Sequence, residues 1–178
     1  MSGLLHAAAL AVGIVPVLCA VLAPPGARVR ELALAAAMLA AMLDVVLGIG
    51  LLSPVAWAAV LAIGAIASMI GARRRSAAAR AMRTADALGA VLMAALLPTM
   101  SAGAHLTAPA GTHAHGAGLP ALVAVLGAAA IVHLVGCLTL ARAMTREPGH
   151  RRASLSRAGG QVAMSVSTLL MAGAVALA

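Results

Sequence analysis

Apolar runs of about 20 residues recur along the whole chain, each long enough at ~1.5 Å per helical residue to cross a hydrocarbon layer of ~30 Å. Short clusters of arginine separate them. This alternation leaves few folds open. A water-soluble core cannot absorb the apolar surface of 178 residues that are 63% hydrophobic and 9% charged, with a mean hydropathy of +1.09. The expected class is all-α, a polytopic membrane helix bundle that forms one transmembrane domain over residues 1–178.

Six spans are predicted, at residues 4–23, 32–52, 55–71, 85–102, 119–141 and 161–178. Pro24, Pro25 and Gly26 end the first, Ser53 and Pro54 turn the chain after the second, and Pro98 bends the fourth. With the N-terminus outside, Arg28 and Arg30 share one side with Arg73, Arg74, Arg75, Arg80 and Arg83. Arg142, Arg146, Arg151, Arg152 and Arg157 fall on that side too. The other side carries the two termini, Ser53 and Pro54, and a neutral segment over 104–118, with no charged side chain. The positive-inside rule then predicts N-out, C-out topology in a bacterial inner (plasma) membrane. No charged segment precedes the first run, so that helix is expected to be retained rather than cleaved.

The net charge of +8 would suit nucleic-acid binding only on a solvated basic face with stacking aromatics. One Trp and no Phe or Tyr leave no such face, so no nucleic-acid partner is expected. The lipid bilayer is the expected partner, together with other membrane proteins or further copies of the chain. No H-E-x-x-H, G-x-S-x-G, phosphate-binding glycine loop or paired carboxylates occur, and the expectation is that the chain is not an enzyme. Asp86 and Glu147 fall at the cytoplasmic edge, where capping or pairing with arginine explains them.

Asp44 stands apart as a carboxylate within the second span. It shares a helical face with Ala37, Ala41 and Gly48, small residues that admit a neighbouring helix. Lying near the middle of that span, it serves either as an ion or proton site or as a protonated carboxyl hydrogen-bonded to a neighbouring helix. His133 and Cys137, four residues apart, project from one face of the fifth span as a soft-metal pair would. The competing explanation is a packed core histidine and a buried thiol. Cys19 also falls inside a span, so no disulfide framework is implied.

Methionines recur on helix faces: Met38 with Met42, Met93 with Met100, and Met164 with Met171, the last pair sharing a stripe with Gln161 and Thr168. Thioethers favour Cu(I), so Met42, Met93 and Met171 could join His133 in a copper path, or serve as adaptable packing. His105, His113 and His115 in the outer segment offer imidazole nitrogens to copper or zinc.

The stretches Ala37-Met38-Leu39-Ala40-Ala41-Met42-Leu43-Asp44, residues 86–100, and Gln161-Val162-Ala163-Met164 through Met171 resemble the Met-bearing helices of an uncharacterised family of small actinobacterial multi-pass membrane proteins. The resemblance covers about half of the chain and implies the multi-pass architecture. Members commonly place a His a few residues before the Met run, which the second, fourth and sixth spans here lack, and no assigned activity carries over. The leading functional expectation is a non-enzymatic membrane protein that handles copper or another soft metal through His, Met and Cys. A small proton-coupled transporter centred on Asp44, and a structural or assembly subunit of a membrane complex, are the alternatives.

Overall fold

Gly and Pro mark where the apolar runs break into elements. A computed structural model describes residues 2–22, 25–70, 76–105, 118–145 and 151–177. Among them are six helices: α1 (Ser2–Val21), α2 (Pro25–Leu47), α3 (Pro54–Met69), α4 (Ala77–His105), α5 (Gly118–Thr145) and α6 (Arg151–Ala176). Pro25 opens α2 and Pro54 opens α3, positions where the missing N–H costs nothing. Ser53 caps α3, its hydroxyl accepting from the Ala56 N–H at 3.1 Å.

Helix α2 ends at Leu47, five residues before the predicted limit of 52. Gly48 adopts φ +63°, and the Ile49 N–H returns to the Asp44 carbonyl at 3.1 Å, closing the last turn. At their other ends the helices run longer than predicted. Arg80 and Arg83 belong to the first turns of α4 and Arg157 to α6, rather than to loops. Arginine is a good helix former, so a basic cluster does not by itself end a helix.

Helix α6 packs against α1, α4 and α5, while α4 packs against α2, α3, α5 and α6, so these two form the middle of the bundle. The main core cluster joins Met38, Met42, Trp57, Leu61, Met93, Leu97, Met164 and Met171. Polarity is inverted relative to a soluble protein: Asp44, His133, Gln161, Ser165, Ser167 and Thr168 are buried, whereas Leu4, Ile66 and Val132 are 78%, 70% and 72% exposed. Two of the buried hydroxyls are satisfied within their own helix, Ser165 donating to the Gln161 carbonyl at 2.9 Å and Thr168 to that of Met164 at 2.9 Å. Such an arrangement suits lipid as the surrounding solvent.

Among the described residues, three helices are long and apolar enough to cross a membrane, over Gly3–Val21, Ala77–Thr99 and Ala121–Met144. α3 is apolar but has 16 residues, about 24 Å of rise. α2 carries Arg30, Glu31 and Asp44, and α6 carries Arg157, Gln161 and several buried hydroxyls along its length. The six expected spans thus correspond to six helices, of which three meet the length and apolarity of a crossing helix.

Candidate functional site

Asp44 sits on the last turns of α2 with its side chain 3% exposed. One carboxylate oxygen accepts from the Leu51 N–H at 2.8 Å; the other accepts from the Leu52 N–H at 3.0 Å and from Trp57 Nε1 of α3 at 2.6 Å. Every one of these partners is an N–H donor, matching an acceptor-only carboxylate. The carboxylate thereby closes the α2–α3 connection, gathering two turn amides that no helix satisfies. The partner expected for Asp44 is the neighbouring helix and the turn together.

His133 and Cys137 do face one another on α5, with Cys137 Sγ 3.7 Å from His133 Nε2. Both are buried, and the Ser165 hydroxyl of α6 donates to Cys137 Sγ at 3.4 Å. Opposite the imidazole lies Gly89 of α4. A methyl group in place of its hydrogen would stand 3.2 Å from His133 Nε2 and 3.6 Å from Met164 Cε. Met42, Met93 and Met171 belong instead to the main core cluster, Met42 Sδ accepting from the Ser167 hydroxyl at 3.6 Å. Asp44 is held apart at the α2–α3 turn. His113 and His115 lie outside the described residues, as does the side chain of His105, whose backbone ends α4. Among the described residues, no three His, Cys, Asp or Glu side chains gather as a metal-binding group.

A third polar site forms at the arginine-rich end. Gln161 of α6 donates through Nε2 to the Met82 carbonyl at 2.8 Å and to the Asp86 carboxylate at 3.1 Å, both on α4. Beside this pair, Arg157 Nε of α6 lies 3.2 Å from Glu31 Oε1 of α2. That contact is a charge pair without hydrogen-bond geometry, because the buried Nε–H has no acceptor in line. Together these side chains wall a cleft of about 100 Å³, which Cys19 and Pro16 of α1 line on the far side. Gly160 permits that approach, since a Cβ there would meet Cys19 Cβ at 3.2 Å.

Asp86 was expected to cap a helix or pair with arginine at the membrane edge. The structure gives it a carboxamide partner, on a cavity wall that Arg83 and Arg157 also line. Arg83, which also lines the cleft, reaches the end of α3, donating to the Ser68 carbonyl at 3.4 Å and the Ile70 carbonyl at 3.3 Å, and Arg30 reaches the same Ile70 carbonyl at 3.3 Å. Two guanidinium groups therefore satisfy the carbonyl end of α3, where positive charge is favoured. Sequence spacing did carry a signal for the cleft: Arg83 with Asp86, and Arg157 with Gln161, share helical faces. What joins them is a contact between residues 75 apart. No family model, curated protein or solved structure matches the chain.

Proposed function

We propose that the chain is a six-span inner-membrane protein with both termini outside, a proton-linked carrier of small polar solutes in which Asp86 is the proton-bearing group. The short α3 and the polar α2 and α6 complete the crossings by packing against α1, α4 and α5, since helices buried among others need less apolar surface than those facing lipid. Parity supports this reading: six crossings leave every arginine on one side.

One observation carries the assignment to Asp86. It is a carboxylate on a helix long and apolar enough to cross a membrane, and it faces a cavity and the neutral amide of Gln161. Ionisable groups within crossing helices are costly, and they mark ion and proton pathways. Asp44, by contrast, has its lone pairs committed to the α2–α3 turn. The cleft opens where α2, α4 and α6 begin, so its access is from the arginine-bearing, cytosolic side.

Reconstituted protein on a solid-supported membrane tests this directly. A pH jump should produce a charge displacement above that of empty liposomes, lost in Asp86→Asn and retained, per folded protein, in Asp44→Asn. A wild-type signal in Asp86→Asn would remove the carrier reading.

A further inference from the structure

The contact between His133 and Cys137 plays no part in the carrier reading, although Met164 beside it also lines the cleft. We propose that His133, Cys137 and Met164 form a buried site for monovalent copper between α4, α5 and α6.

Metal–nitrogen and metal–sulfur bonds of about 2.0 and 2.3 Å, opened to an angle near 115°, span roughly 3.7 Å. His133 Nε2 and Cys137 Sγ stand 3.7 Å apart. One ion therefore fits between the two atoms without moving either helix turn. Gly89 leaves space beside the imidazole nitrogen, and the Met164 methyl borders that same space from α6. The Met164 thioether is the third donor of the proposed site.

The donor set selects the ion. Imidazole, thiolate and thioether are the ligands that favour Cu(I), which accepts two or three of them. A closed zinc site takes four ligands, usually drawn from Cys, His and carboxylate, and the described residues bring together no three of these. Calcium and magnesium require oxygen donors. Burial of His133 at 6% exposure and of Cys137 at 2% keeps the site dry and suits a soft, low-coordinate ion. On binding, the Cys137 thiol releases its proton and the thiolate takes the metal, while the Ser165 O–H continues to donate to the sulfur.

Full-length protein purified in detergent and loaded anaerobically with Cu(I) against a chromophoric Cu(I) chelator tests the site. Wild type, Cys19→Ser and a His105/His113/His115→Ala triple variant should each retain about one equivalent, with nitrogen and sulfur both in the X-ray absorption shell. Cys137→Ser and His133→Asn should lose it. Ser165→Ala, which removes the hydroxyl beside Cys137 Sγ, and Gly89→Ala, which places a methyl group beside His133 Nε2, supply no ligand themselves and should weaken retention about 10- to 100-fold, and a monodisperse elution profile confirms that each variant has folded. The proposal is overturned if wild type retains no copper, if Cys137→Ser retains as much as wild type, or if retention disappears with the outer-segment histidines instead. Asp86→Asn should bind copper normally, so failure here and failure of the carrier reading are separable outcomes.

Discussion

At the scale of single residues, the two carboxylates within helices do opposite things for a local reason. Asp44 stands where α2 stops, next to amides that have lost their helical partners, and it accepts from them and from the indole of Trp57. Asp86 stands where α4 continues, so its own backbone is satisfied and its side chain faces the cleft. Asp44→Asn replaces an oxygen acceptor with an amide donor facing N–H groups, and the α2–α3 turn should loosen. Because Trp57 is the protein's single tryptophan, its emission maximum should shift in Asp44→Asn and stay unchanged in Asp86→Asn. Identical spectra for both variants and wild type would show that the indole does not depend on the carboxylate. The methionines that looked like a metal path mostly fill the core: Met42, Met93 and Met171 pack with Leu61 and Leu97, which is what an unbranched, polarizable side chain does between alanine-rich helices.

At the scale of elements, the α1–α6 contact holds the bundle together through small residues. Ser167 donates to the Ala9 carbonyl at 2.8 Å, and Gly160 leaves room for Pro16 and Cys19. Between helices in lipid there is no hydrophobic driving force, so close packing and such hydrogen bonds supply the association. Gly160→Val should destabilise the protein by about 1–3 kcal/mol through overpacking, read as reduced resistance to unfolding in mixed detergent. Ser167→Ala removes one interhelical hydrogen bond and should cost only about 0.6 kcal/mol. A larger loss for Ser167→Ala than for Gly160→Val would mean that hydrogen bonding, not packing, dominates this pair. Helix α3 is held differently, with Arg30 and Arg83 converging on the Ile70 carbonyl from α2 and α4.

At the scale of the whole molecule, the ends of the bundle differ. One end gathers Arg83, Arg157, Glu31, Asp86 and Gln161 around the cleft, whereas the other holds the neutral turn that Asp44 closes. Cys19 lines the cleft and is partly exposed, while Cys137 is buried. A membrane-impermeant maleimide should therefore modify Cys19 in inside-out vesicles and leave it unmodified in right-side-out ones, with Cys137 unreactive in both. Labelling of Cys19 from the outer face would reverse the topology and place the cleft on the wrong side for a cytosolic entrance.

What the sequence determined by itself is the class of fold and the asymmetry of its ends. Hydropathy over about 20 residues and the placement of arginine are local properties, and they survive in any packing of the helices. The pairing of His133 with Cys137 was legible for the same reason, because four residues along one helix make a neighbouring position. Tertiary structure decided where the helices end and which polar groups meet. Trp57 as the partner of Asp44, Gln161 as the partner of Asp86, and Gly89 beside His133 all join different helices. Alanine-rich helices present nearly uniform faces, so periodicity cannot say which side of one turns toward which side of another; only the packed bundle sets those distances.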